Sequence, residues 1–272
     1  MTSSLHHAPA RRALAALTLA ACGASAMADV PVDHWASGEP RLFLSGGLDL
    51  GTSEHTFAAA GFGKPHLLWG GLIAHGWLTT DLAAGRVGVK VDVMAAALEA
   101  GVRWSRSFRH LPLPDTATQD ELPSRHGFVS RVLDLSLSGG LPAGPGFVIY
   151  EVLGVRLLSS HGEVQLYDEL LRIVYRPPWL ATASAGWVAS LRGGALLVGG
   201  RAQWAFETGR SGDPFVRAGP VAYWRPWPHL ALAGELLFPV SNPDDLGFQA
   251  PIVAYVVLSF TAATGTPPPR FP

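Results

Sequence analysis

The stretch Arg86-Val87-Gly88-Val89-Lys90-Val91-Asp92-Val93 constrains the fold of this chain more than any other. Valine fills every odd position, and Lys90 and Asp92 stand between valines. A period of two belongs to an extended strand, whose successive side chains point to opposite faces. One face of this strand is wholly aliphatic and the other carries a cation and a carboxylate. In a soluble sandwich the valines face a core and the charges face water. In a transmembrane barrel the valines face lipid and the charges face the lumen. The rest of the sequence decides between the two.

The first forty residues point to export. Arg11 and Arg12 form a positive start, Ala13 to Ala21 a short apolar run, and Ala26-Met27-Ala28 a small-x-small cleavage pattern. Residues 1–28 therefore read as a signal peptide cleaved after Ala28. The apolar run is well short of the roughly 20 residues that span a bilayer. Leu19-Ala20-Ala21-Cys22 offers an alternative, lipoprotein-type cleavage before Cys22. Cys22 is the single cysteine, so a chain cleaved after Ala28 has no disulfide and no thiolate metal site. Residues 29–40, polar and with two prolines, read as a periplasmic linker.

Composition separates the two readings of the valine strand. Charged residues make up 15% of the chain, against roughly 25% in soluble domains. Mean hydropathy is +0.23, yet no run beyond the signal approaches 18 uninterrupted apolar residues. A chain this apolar without a spanning helix must place its apolar surface on strands. The net charge of −1 lacks the clustered basic character of a nucleic-acid surface.

From Arg41 the chain divides into segments of about ten residues, separated by Gly, Pro, Asp and Ser. Strands are expected near 41–51, 66–78, 85–94, 97–108, 128–139, 147–158, 164–176, 180–191, 195–207, 214–226, 229–239 and 249–261. They exceed the usual globular strand and match a tilted membrane strand of about 9–11 residues. Leu98, Ala100, Val102 and Trp104 oppose Glu99 and Arg103, and Leu133, Leu135 and Leu137 oppose Asp134, Ser136 and Ser138. The expectation is an all-β, transmembrane, antiparallel up-and-down barrel of about 12 strands (range 10–14) over 41–262, after a cleaved signal peptide. A Pro-rich tail over 263–272 follows it. This division puts the long 109–127 loop on the same side as the termini, where short turns belong, so one strand is missing or one hairpin is false.

Trp69 and Trp77 lie eight positions apart on one face of their strand. At about 3.3 Å per residue and a tilt near 40° they are about 20 Å apart along the membrane normal, close to the spacing of two aromatic girdles. Trp69, Trp77, Trp104, Trp204 and Trp224 are the girdle candidates. His75 shares the face of Trp69 and Trp77, which is costly if that face meets lipid.

With this pattern and its last strand, Pro251-Ile-Val-Ala-Tyr-Val-Val-Leu-Ser-Phe260, the chain resembles Gram-negative outer-membrane β-barrel proteins. The resemblance is to a general class and covers about residues 41 to 261 plus the signal. It implies location in the outer membrane, contact with outer-membrane lipid, and recognition of the aromatic-ended last strand by the barrel-assembly machinery. The chain departs from the class in continuing through Thr266-Pro-Pro-Pro-Arg-Phe-Pro272.

No catalytic motif emerges. The histidines form no His-Glu-x-x-His or other metal spacing, and Asp115, Asp120 and Glu121 match no calcium loop. Neither a metal nor a cofactor is called for, and no nucleic-acid partner. Ser53, Glu54 and His55 fall in an expected loop, but adjacency in sequence does not make a triad. Lys90, Asp92, Glu99, Arg103, Asp168, Arg172, Arg201, Glu207, Arg217 and Glu235 alternate with apolar neighbours and are the lumen-facing candidates. Both signs are represented, which suits a lumen filled by paired charges. A single-sign ring would instead select ions. The expected function is an integral outer-membrane barrel, structural or porin-like. Two other readings stay open: an outer-membrane lipid-modifying enzyme, and a lipid-anchored or soluble periplasmic β-protein that binds an apolar ligand.

Overall fold

A computed structural model describes residues 40–51, 54–64, 68–79, 82–94, 96–107, 129–161, 166–168, 173–175, 177–207, 214–227, 229–241 and 253–263. Its strands are β1 (Arg41–Gly51), β2 (Glu54–Lys64), β3 (Leu68–Leu78), β4 (Leu82–Val93), β5 (Ala96–Ser107), β6 (Val129–Ala143) and β7 (Gly146–His161). There follow β8 (Leu166–Asp168), β9 (Ile173–Tyr175), β10 (Trp179–Leu191), β11 (Leu196–Glu207), β12 (Phe215–Trp227), β13 (Leu230–Ser241) and β14 (Val253–Ala263). All but β8 and β9 form one closed antiparallel barrel of twelve strands, in which β14 returns to pair with β1 from Ser45↔Ala263 to Gly51↔Val257. Closure leaves no wall strand as an edge strand. The signal, linker and tail read from the sequence lie outside the described residues, apart from Pro40 and Ala263 at their borders.

The alternation of the opening stretch has a definite sense. Val87, Val89, Val91 and Val93 are exposed on the outer surface, while Arg86 is buried and Lys90 and Asp92 are partly buried inside. The same sense holds around the wall: Leu72, Leu135, Val152, Val198, Leu232 and Val256 are all exposed. Every wall strand carries exposed large hydrophobic side chains, whereas a soluble monomer shows them mostly singly or in small patches. Wall strands of 11 to 16 residues suffice to cross a hydrocarbon layer at a tilt.

Two expectations of the strand division are corrected, in opposite directions. Residues 54–64, expected as a loop, form β2, paired on both sides with β1 and β3. Its outward residues Ala58 and Ala60 are small and its inward ones include Gly61 and Gly63, so the hydrophobic contrast that marks a strand is faint. Conversely, 164–176 is no wall strand. It contains the separate hairpin β8–β9, with Leu166↔Tyr175 and Asp168↔Ile173 paired, and β7 bonds directly to β10. The strand count is unchanged, but the sides are exchanged. The short links after β2, β4, β6, β10 and β12 share one end with the start of β1 and the end of β14. The long connections 108–128 and 162–178 share the other end. The hairpin near 94–97 is real: Val93 pairs with Ala96, and Met94 turns the chain at φ 49°.

Trp69 is the clearest correction among single residues. It is 3% exposed and faces inward on β3 with Ile73. Room for the indole comes from β2, where a Cβ on Gly61 would lie 2.8 Å from Trp69 Cζ2 and 2.4 Å from the Gly70 carbonyl. Trp77 shares its inward face. Neither tryptophan belongs to a lipid-facing girdle, and the cost of a lipid-facing His75 disappears with that assignment.

Candidate site in the barrel lumen

The inward face of β4, β5 and β6 brings together residues far apart in sequence. Arg86 and Arg103 are direct cross-strand partners, an arrangement of like charges that is unfavourable by itself. Asp134 from β6 resolves it, at 3.5 Å from Arg86 Nε and 3.4 Å from Arg103 Nε. Glu99 lies 2.7 Å from Arg86 and 3.3 Å from Lys90, and Lys90 is 3.5 Å from Asp92. Arg103 then reaches off the wall to the inserted hairpin. Its Nη1 and Nη2 donate to the two oxygens of Asp168 at 3.3 and 2.5 Å. Buried charges persist only when paired in this manner.

That bidentate contact pins the connection between β7 and β10 inside the barrel. Ile173 and Tyr175 of β9 are buried with Val132, Val155, Leu180, Ala205 and Phe215, which are inward residues of β6, β7, β10, β11 and β12. The hairpin thus fills the mouth at the long-connection end with a small apolar core. Toward the short turns a second cluster, Ile149, Val188, Leu197 and Val221, packs with Phe147 and Tyr223. Between the two layers Arg201 donates to Glu151 at 2.8 Å and to Glu235 at 3.1 Å, and Arg217 Nε donates to Gln203 at 2.5 Å.

Among the lumen candidates, Lys90, Asp92, Glu99, Arg103, Arg201, Arg217 and Glu235 stand on inward positions of the wall. Asp168 is also inside, but on the hairpin. Arg172 lies outside the described residues, as does the side chain of Glu207. Trp104, Trp204 and Trp224 occupy outward positions, with Trp104 and Trp224 exposed.

A further cluster lies near the long-connection end and joins His55 and His75, which the sequence singles out separately, to Asp49, which it does not. Asp49 and His55 flank the β1–β2 turn as cross-strand partners, and Asp49 Oδ2 lies 2.7 Å from His55 Nδ1. His55 Nε2 lies 3.0 Å from Nδ1 of His75 on β3. The imidazole planes differ by only 4°, and the Trp77 indole is parallel to both within 9°. With Asp49 ionised, His55 Nδ1–H donates to it, and a neutral His55 accepts from His75 Nδ1–H. An acid six residues before a histidine is a weak signal for Asp49 and His55, since it needs 54–64 to be read as a strand; His75 needs the register of β3. Glu54 is exposed at the start of β2, and Ser53 lies outside the described residues. Among the described residues no group of three His, Cys, Asp or Glu could hold a metal ion.

An apolar exterior, a charged and self-paired interior, full closure and short links at the end shared by the start of β1 and the end of β14 define a transmembrane antiparallel β-barrel of twelve strands. Among solved structures the chain is similar to CdiB from Acinetobacter baumannii, with TM-score 0.38 and 7% identity over 84% of this chain. The chain spans 61% of the length of that protein. It is also similar to the translocator domain of the autotransporter NalP from Neisseria meningitidis, with TM-score 0.37, 12% identity, and coverage of 96% of this chain and 99% of that one. No family model and no curated protein matches the sequence.

Proposed function

We propose that the protein is an integral outer-membrane barrel whose lumen is held closed by its own side chains and by the β8–β9 hairpin, so that it is not a constitutively open pore. The observation that carries this reading is the Arg103–Asp168 contact, which ties a segment between two wall strands to the centre of the interior charge network. An open pore leaves its lining charges hydrated, whereas Arg103, Asp134 and Asp168 are all buried. The long connections face the exterior and the short turns the periplasm, as is general for such barrels. Export uses the signal cleaved after Ala28, or before Cys22 if the cysteine is lipidated, and the assembly machinery receives the chain through β14. Trp104, Trp204 and Trp224 serve as interfacial anchors.

Conductance in planar bilayers tests the proposal. The intact protein is expected to stay closed at low voltage, and a variant lacking 162–176 is expected to open. Stable, open-pore conductance from the intact protein contradicts it. One observation favours a second reading, a lipid-modifying enzyme. Asp49 and His55 have the orienting geometry of a carboxylate–imidazole pair, and His75 is hydrogen-bonded to the other ring nitrogen of His55. Ester hydrolysis by the intact protein that is lost in His75→Ala would support that reading, and its absence would leave the closed barrel.

A further inference from the structure

We propose that the outer surface of β5, β6, β7 and β10 binds the anionic phosphate headgroup of a membrane lipid through Arg106, Arg131 and Arg156. The inference rests on the membrane-spanning reading above. All three arginines are exposed. They alternate with the buried Ser105, Ser130, Val132 and Val155, which fixes them on the outward face.

The three lie level with one another. Ala96, beside the β4–β5 turn, stands opposite Gly139, yet β6 runs on to Ala143 before it turns. Gly146 stands opposite Ala189, and β10 likewise runs on to Leu191. The strands are therefore tilted, and a line parallel to the membrane crosses the ladder diagonally, stepping toward the short turns from β5 to β10. Arg106 is opposite Val129, Arg131 is opposite Trp104, and Arg156 is opposite Leu133. Val129, Arg131 and Leu133 are alternate residues of β6, so the arginines descend that diagonal step by step. Trp179 stands beside the last of them as the direct cross-strand partner of Arg156, whose guanidinium sits 5.2 Å from the centre of its ring.

The surroundings name the partner. Toward the short turns the same face carries the exposed Leu98, Leu133, Leu135 and Val152, which meet hydrocarbon. Trp104 and Trp179 mark the depth as interfacial. Among the described residues no carboxylate occupies an outward position on these four strands. Cations at the border of hydrocarbon need an anion, and at this depth the adjacent molecules are lipids. A phosphate matches the planar fork of guanidinium donors, and several aligned arginines favour a headgroup with net negative charge over a zwitterionic one.

The test is native mass spectrometry of the full-length protein, released from detergent containing equal amounts of phosphatidylglycerol and phosphatidylcholine of the same acyl chains. The intact protein is expected to retain phosphatidylglycerol over phosphatidylcholine by about tenfold. Arg106→Gln/Arg131→Gln/Arg156→Gln should fall to near parity, while Lys64→Gln/Arg192→Gln, at the opposite end of the barrel, should keep the preference. Should the triple variant fail to fold, Arg131→Gln alone is expected to lose roughly threefold. Equal preference in the intact protein and the arginine variants overturns the inference. A heat-dependent gel shift is recorded on each sample. Its absence from the intact protein refutes the membrane reading itself, and its presence with unchanged lipid retention refutes this inference alone.

Discussion

Replacing Arg103 by methionine should be among the most destabilising single substitutions on the inward face of the wall. Arg103 is 5% exposed and is shared by Asp168, at 2.5 and 3.3 Å, and Asp134, at 3.4 Å. Methionine fills much of the space but leaves two buried carboxylates without their common cation. Breaking one partner of a buried pair costs about 3–5 kcal/mol. Removing the pair together, as Arg103→Met/Asp168→Leu, leaves Asp134 with Arg86 at 3.5 Å and should cost much less, because no orphaned charge remains on the hairpin. The four proteins of this cycle, unfolded by urea in detergent micelles, should therefore show a coupling of about 2–3 kcal/mol between the two positions. Proteolysis within 162–176 reports the same event structurally, since the single variant should release the hairpin and become cleavable while its wall remains folded. Additive costs, or a hairpin equally resistant in both proteins, would refute the claim that this contact holds the segment inside.

Three further outcomes follow from the same architecture. Val89→Arg puts a charge on the lipid face of β4 and should destabilise the barrel in bilayers by about 2–4 kcal/mol, as measured by urea unfolding in vesicles. Trp69→Ala should cost about 3–5 kcal/mol by leaving a cavity over Gly61, whereas Trp104→Ala should cost far less and instead reduce fluorescence quenching by brominated lipid. Arg201→Met should destabilise by about 2–3 kcal/mol in the same unfolding assay, because the mostly buried Glu235 loses its cation while the half-exposed Glu151 is still hydrated.

Much of the wall is legible in the sequence because its contrast is high. Val87 to Val93 and Leu133 to Leu137 oppose charged or hydroxyl side chains, and no other local structure accommodates that period. β2 is illegible for the converse reason: Ala58, Ala60, Gly61 and Gly63 give neither face a character, and only pairing with both neighbours makes it a strand. The hairpin at 166–175 deceives in the other direction. Local alternation records an extended chain but not whether it lies in the wall or inside it, a distinction made by Arg103, some sixty residues away. Trp69 and Trp77 mislead because tryptophan suits both a membrane interface and the filling of a narrow barrel. The glycines that admit Trp69 stand on a strand the sequence conceals. The charged candidates are readable one by one, but their partners depend on register, so the pairing of Asp134 with Arg86 and Arg103 and of His55 with His75 emerges only from the fold.

The most direct test of the central claim returns to β4. Single cysteines placed from Arg86 to Val93 in a Cys22→Ser background, labelled with an environment-sensitive fluorophore in vesicles, read the direction of each side chain. The account predicts a period of two, with positions 87, 89, 91 and 93 quenched by a lipid-soluble quencher and positions 86, 88, 90 and 92 protected from it. Quenching without alternation, or with the two sets exchanged, would contradict a barrel that presents its valines to lipid and keeps its charges within.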